Sequence, residues 1–421
     1  MKTQSGNREI LVYADWRDLK KPMQMGSLHV DQLRGKEVFS FSYSTDWLEN
    51  SVALLLDPDL GFYDGPQYNS KGKPNFGLFL DSSPDRWGRV LMQRREQLKA
   101  MKEKRKPVTL LESDYLLGVS DQYRMGALRF KLSEDGPFQN EDIALAAPPV
   151  ASLRTLEEAS LHLEDDNAIS DPAFAQWLNM LISPGSSLGG ARPKASVIDP
   201  KGQLWIAKFP SKRDDRNIGG WEWVVNELAR KAGLNVAEGQ IKKLTKEHHT
   251  YLSKRFDRVG DSRTHFASAM TLLGRNDGAD AAAGASYLEI MDFLASNGGN
   301  ATADMRELWM RIVFNICISN SDDHLRNHGF LLTAKGWILS PAYDINPVPF
   351  SNGLSLNIDR YSNLLDLELA LEVAEKFRVS HKDAKSLISK MKKVVAAWQK
   401  TASGIGIPRN EIAAMQPAFA V

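Results

Sequence analysis

Residues Ser321 to Asp344 read S-D-D-H-L-R-N-H-G-F-L-L-T-A-K-G-W-I-L-S-P-A-Y-D. Asp322 stands five residues before Asn327, and Asp344 closes a short apolar run beyond them. Phosphoryl transfer from ATP needs this set. One carboxylate orients the attacking hydroxyl, while an amide and a second carboxylate hold Mg2+ against the phosphates. Asp-x-x-x-x-Asn is the catalytic-loop spacing of protein kinases, although the H-R-D lead-in is absent. Two other readings stay open at this point. His324 and His328, at i and i+4 with carboxylates beside them, suit a transition metal and a metal-dependent hydrolase. Against that, H-E-x-x-H is absent and no third His lies close in sequence. The plainest alternative is a polar helix cap without chemistry.

Upstream, Lys208 alternates into the apolar strand pattern L-W-I-A-K-F-P. Such a lysine either guards a sheet edge or points at phosphate, as the strand lysine of kinases does. Kinases pair that lysine with a helix glutamate. Glu222 and Glu227 both lie on the following helical pattern, and periodicity does not choose between them. The loop Gly185–Gly190, G-S-S-L-G-G, would let backbone N–H groups of Gly189 and Gly190 approach phosphate oxygens. It satisfies neither Walker A nor G-x-G-x-x-G, so an ordinary surface loop is the competing reading.

The chain has 421 residues, enough for two or three domains. Lys plus Arg number 53 against 52 Asp plus Glu, a balance that argues against a protein whose main task is coating nucleic acid. The run Gln93–Lys106 is locally basic, but its mixed charge reads first as a solvated helix face. A single cysteine, Cys317, sits in the apolar run Leu308–Ile318. It can build neither a disulfide framework nor a cysteine zinc site. A reducing cytoplasm is the expected compartment. No apolar run approaches 18 residues, so no membrane span is expected, and the N-terminus has no signal-peptide apolar region.

Along the chain, strand patterns come first and helical patterns follow. Ile10–Ala14, Phe39–Tyr43 and Gly126–Leu132 read as strands. Ser82–Ala100 reads as a helix with Ser83 as N-cap and Pro84 in its first turn. Ser133–Pro149 reads as a linker. Leu153–Leu163 and Asp171–Ile182 read as helices, then Leu204–Phe209 as a strand after a D-P-K-G turn. Trp221–Gly233 is a helix ending in Gly, and Tyr251–Phe256 a strand. Leu288–Ser296, Met305–Ser319, Leu364–Phe377 and His381–Ala402 carry apolar residues at helical spacing. The expected class is α+β, two-lobed and protein-kinase-like, with a β-rich N-terminal subdomain and a helical C-terminal lobe. Its expected regions are 1–148, 149–260 and 261–421.

A set of motifs occurs in order: Gly185–Lys194 (G-S-S-L-G-G-A-R-P-K), I-A-K-F-P, W-E-x-x-x-N-E-L-A-x-x-A-G-L-N-V, R-F-D-R, S-D-D-H-L-R-N-H and A-Y-D-I-N-P. Together they resemble the HipA family of bacterial serine/threonine kinases, the toxin component of toxin–antitoxin pairs. Leu78–Arg89 (L-F-L-D-S-S-P-D-R-W-G-R) and Tyr115–Leu128 are similar to that family's N-terminal domain, so the likeness runs from about residue 10 to about residue 400. The resemblance implies Asp322 as catalytic aspartate, Asn327 and Asp344 as Mg2+ ligands, and Lys208 as the ATP-phosphate lysine with Glu222 as its partner. It implies Lys194 as a further lysine after the loop. It also implies Ser187 as the autophosphorylated serine, with Ser186 beside it. A helix-turn-helix antitoxin is the implied partner, with DNA contacted mainly through it, and an aminoacyl-tRNA synthetase the implied target class. The contrasting expectation is a catalytically silent, kinase-shaped corepressor; retention of Asp322, Asn327, Asp344 and Lys208 counts against it.

Overall fold

The structure is a computed structural model that describes residues 7–16, 19–140, 147–165, 168–182, 190, 192–245 and 248–419. The chain divides into two compact units, Met1–Ala207 with Asp257–Ala267, and Lys208–Phe256 with Ser268–Val421. The fold is α+β, with sheet strands early in the chain and helices dominating later, as expected.

The first unit is built on an antiparallel sheet. Its strands run in the order Gln67–Tyr68, Lys36–Tyr43, Met23–Leu33, Arg8–Ala14, Leu128–Lys131. Ile10 pairs with Leu28, and Leu28 with Phe41, so one face stacks three fully buried apolar side chains across three strands. Met23–Leu33 is the longest strand, and the sequence reading did not assign it. Gly26 interrupts its apolar alternation, yet the sheet requires a glycine there. A Cβ at that position would meet the Ser42 carbonyl oxygen at 2.1 Å.

The helix after this sheet begins later than expected. Its span is Arg86–Lys102 and its N-cap is Asp85, whose carboxylate accepts from Gly88 N. Ser83 serves the preceding helix, Gly77–Asp81, by donating to the Phe79 carbonyl. A carboxylate is the better acceptor for orphan first-turn N–H groups, being charged as well as correctly placed. Asp57 caps Gly77–Asp81 through Leu78 N at 2.9 Å, and burial pushes its carboxyl up to about 6. Two of the quoted motifs meet inside this unit. Asp257 accepts from Gly126 N, while Arg258 donates to the Arg124 and Gly126 carbonyls.

The second unit is mainly helical. Ala301–Cys317 runs through its interior, buried at every position from Leu308 to Cys317. Cys317 lies in that core, and burial pushes its thiol up to about 12. Two hairpins flank the helices: Gly239–Lys242 with Thr250–Lys254, and Gly329–Thr333 with Gly336–Leu339. The pattern at 381–402 is broken into His381–Val395 and Trp398–Gly404. The break sets Trp398 flat against Phe419, rings 4.2 Å apart, and near Trp221.

Ile218–Ala232 starts on Asn217, whose side chain accepts from Gly220 N, and ends on Gly233 at φ +96°. That left-handed C-terminus is glycine's role. The Asn217 N–H and the Trp221 indole both donate to Glu411 Oε1, at 2.8 and 2.7 Å. Among the described residues no helix is long and apolar enough to cross a membrane.

Candidate active site

The second unit gathers Lys208, Glu222, Asp322, Asn327 and Asp344. Lys208 ends the strand Leu204–Lys208, where the chain passes from one unit to the other. Its ammonium lies 2.6 Å from Glu222 Oε1 and 2.6 Å from Asp344 Oδ1. Burial works against the charge, but the two carboxylates outweigh it and hold the lysine above its ordinary range. Glu227, the rival glutamate, instead pairs with exposed Arg230 on the helix's outer side. Glu222 and Glu227 are five residues apart, so they lie on different helix faces.

Helix Ala301–Cys317 is followed by Ser319 at φ +49°, and the chain turns into the loop carrying Asp322. Neighbouring aspartates then diverge. Asp322 is exposed and Asp323 buried. Asp323 Oδ2 accepts from Tyr287 Oη at 2.7 Å and Asn315 Nδ2 at 2.7 Å, and faces His328 Nε2 at 2.9 Å. Burial alone would raise the Asp323 carboxyl, but His328 and Tyr287 outweigh it and hold it below the usual range. A carboxylate can only accept, so the His328 proton sits on Nε2. Among the described residues no cluster of three or more His, Cys, Asp or Glu forms a metal-ligand group.

The donor chemistry of Asn327 and Asp344 is that of hard-cation ligands. Asn327 spends its amide N–H on the Asp322 carbonyl at 2.8 Å, which leaves Oδ1 as the atom it can offer a metal. Asp344 adopts φ +57°, a left-handed conformation that Asp tolerates better than most residues. The Tyr343 hydroxyl donates to the Arg326 carbonyl at 2.6 Å and so ties the Asp344 segment to the loop bearing Asn327. Amide and carboxylate oxygens are Mg2+ donors, with phosphate oxygens filling further positions.

Lys194 belongs to the first unit. Its ammonium is buried, 2.9 Å from Asp85 Oδ2 and 2.8 Å from the Gly190 carbonyl, while the Trp87 indole donates to the Lys194 carbonyl. Ser186, Ser187 and Gly189 lie outside the described residues. Sequence reasoning missed Asp85 and the Asp323 cluster. His328 had drawn notice only as a metal candidate, and no spacing rule marks an inward carboxylate beside an outward one.

The fold is thus of α+β, kinase-like class, and the comparisons define it further. The model of the HipA-like C-terminal domain family matches residues 186–398, half of the chain. The chain belongs to the HipA family. It is 30% identical over 200 residues to "Putative kinase Y4dM" of Sinorhizobium fredii, covering 43% of this chain and 48% of that relative. It is 26% identical over 208 residues to the serine/threonine-protein kinase toxin HipA of Shewanella oneidensis, covering 45% of this chain and 42% of that protein. The chain thus spans about half the length of these curated relatives. Among solved structures, a chain of the Shewanella oneidensis MR-1 complex of HipA, HipB and operator DNA shares the fold. Its TM-score is 0.61 at 16% identity, over 97% of this chain and 94% of that one.

Proposed function

We propose that this protein is an ATP- and Mg2+-dependent serine/threonine protein kinase of HipA type. One observation carries the reading: a buried lysine shared between a helix glutamate and the aspartate that follows the catalytic-type loop. In this reading Lys208 binds ATP phosphate oxygens and Glu222 keeps it aimed when Asp344 turns to metal. Asn327 and Asp344 hold Mg2+, which supplies charge neutralisation on the phosphates. Asp322 orients the substrate hydroxyl for in-line attack. Catalysis is then mostly positioning and electrostatics. Gly189, Gly190 and Lys194 belong to the nucleotide loop, and Ser187 is the autophosphorylated residue. Phosphate there adds about −1.5 to −2 charge and weakens ATP binding. Regions 1–148, 149–260 and 261–421 are the working division of labour.

The proposed substrate is a translation-related protein of the aminoacyl-tRNA synthetase class. The proposed partner is a helix-turn-helix antitoxin that mediates DNA contact. Two names support the antitoxin and DNA association: the similar Shewanella protein is called a kinase toxin, and the similar structure holds HipB and operator DNA. The test is incubation of the purified protein with labelled ATP, Mg2+ and host lysate, followed by mass spectrometry. Phosphate should appear on Ser187 and on a lysate protein; EDTA should abolish both, and Asp322→Ala should slow both about 10²–10⁴-fold. Absence of ATP turnover, with antitoxin-dependent operator binding intact, would favour the silent corepressor.

A further inference from the structure

The catalytic-type loop is closed twice over the same interval. The outer closure joins residues 322 and 327, through Asn327 Nδ2 and the Asp322 carbonyl. The inner closure joins residues 323 and 328, through the Asp323 carboxylate and His328 Nε2. The outer pair carries the groups read as base and metal ligand. The inner pair is buried, with side chains 8% and 2% exposed, and the kinase reading assigns it no contact with nucleotide or substrate.

Asp323 is also where three separate elements converge on one oxygen. Tyr287 comes from the first turn of Tyr287–Asn297, and Asn315 from the last turn of Ala301–Cys317. His328 immediately precedes the strand Gly329–Thr333. Asn315 is itself held, its Oδ1 accepting from Asn320 Nδ2 at 3.1 Å. Asn320 lies two residues before Asp322, so the network grips the loop on both sides of the exposed carboxylate. The His328 carbonyl in turn accepts from Ala269 N at 2.8 Å.

We propose that Asp323 and His328, braced by Tyr287 and Asn315, are positioning residues that set the separation and orientation of Asp322 and Asn327 and so determine metal affinity. The proposal rests on the kinase reading of those two outer residues. Its physical basis is general: groups that hydrogen-bond behind a metal ligand fix its orientation, and their loss costs about 10–100-fold in metal affinity or activity. Here the brace works through the backbone. Each inner residue is covalently next to an outer one, so a backbone shift that follows loss of the inner hydrogen bonds reorients its neighbour's Cα–Cβ bond.

Binding of a non-hydrolysable ATP analogue, measured by calorimetry with EDTA and with Mg2+, tests this without needing activity. In His328→Ala the affinity gained on adding Mg2+ should fall about 10–100-fold, while metal-free affinity, governed by Lys208 and Glu222, stays unchanged. His328→Gln supplies an amide N–H toward the carboxylate and should restore most of the gain. Tyr287→Phe keeps the ring and removes one hydrogen bond, so it should show a smaller loss in a protein that unfolds normally. Thermal unfolding of each variant identifies the folded ones. A folded His328→Ala or Tyr287→Phe protein that gains as much from Mg2+ as the wild type overturns the proposal. So does a parallel fall in metal-free affinity, which would mark general loosening. Wild-type protein that gains nothing from Mg2+ overturns both the proposal and the metal assignment. Wild-type protein that shows the Mg2+ gain yet phosphorylates nothing refutes only the kinase reading.

Discussion

Replacing Glu222 by Gln is the most informative single change. It preserves volume and leaves an amide oxygen able to accept from Lys208, but removes one of two charges facing a buried ammonium. The side chains of Lys208, Glu222 and Asp344 are 9%, 4% and 24% exposed, so solvent screens this triad weakly. An opposite charge at about 4 Å is worth roughly 4 kcal/mol at an effective dielectric of about 20. Part of that is offset, because the desolvation cost of the Glu222 carboxylate disappears with it. With the amide still accepting, a net loss of about 1–3 kcal/mol remains. The loss has a direction. Lys208 turns wholly to Asp344 and competes with Mg2+ for it. The variant should therefore show kcat/KM for ATP reduced about 10–100-fold, which is about 1.4–2.7 kcal/mol, with a raised Mg2+ requirement. Steady-state phosphotransfer at varied Mg2+ measures both. Glu227→Gln is the control, since its Arg230 partner is mostly exposed and the pair contributes about 0–1 kcal/mol. Wild-type kinetics in folded Glu222→Gln, or a larger defect in Glu227→Gln, would refute the reasoning.

Asp322→Ala should lower the phosphotransfer rate about 10²–10⁴-fold with little change in melting temperature, whereas Asp323→Ala should destabilise the fold by about 3–5 kcal/mol by stranding buried donors; thermal melts beside rate assays separate the two. Lys194→Met should cost about 3–5 kcal/mol in urea unfolding by removing the ammonium that faces the buried Asp85 carboxylate, and adding Asp85→Asn should recover most of it. Strict additivity in that cycle would show the pair is uncoupled. Asp57 has a folded value of about 6 against 3.8 unfolded, so the folded state holds its proton more tightly. Its contribution is best at low pH, is lost as pH rises from about 4 to about 6, and leaves a cost of about 3 kcal/mol above that. Urea unfolding across this window should show a slope that Asp57→Asn removes, and an unchanged slope would exclude Asp57 as its source.

The spacing of Asp322, Asn327 and Asp344, and Lys208 within an apolar strand, were legible because chemistry imposes residue type and interval together. Glu222 against Glu227 was not, because either face of an amphipathic helix can carry a glutamate and only packing decides which turns inward. The same holds for the Asp322–Asp323 pair, where one loop turn sends one carboxylate out and the other in. Fold errors have similarly local causes. Met23–Leu33 was missed because Gly26 is demanded by strand approach, a tertiary requirement with no trace in local periodicity. The break near Ala396 was missed because two alanines are good helix formers, and the turn is imposed by Trp398 packing on Phe419. Asp85 was passed over as N-cap because Ser83 before Pro84 is an equally good local signal.

The Glu411 carboxylate that receives Asn217 and Trp221 sits 194 residues beyond Asn217. At about 5–20 residues per second, a ribosome reaches that acceptor roughly 10–40 s after it has polymerised the helix bearing Glu222. Throughout that interval the helix start lacks its acceptor, and Trp221 has no Phe419 to pack against. The helix that carries Glu222 therefore receives its N-terminal anchor from a residue synthesised long after it. A message cut short between codons 344 and 411 yields polypeptide carrying Lys208, Glu222, Asp322, Asn327 and Asp344 without the Glu411 acceptor.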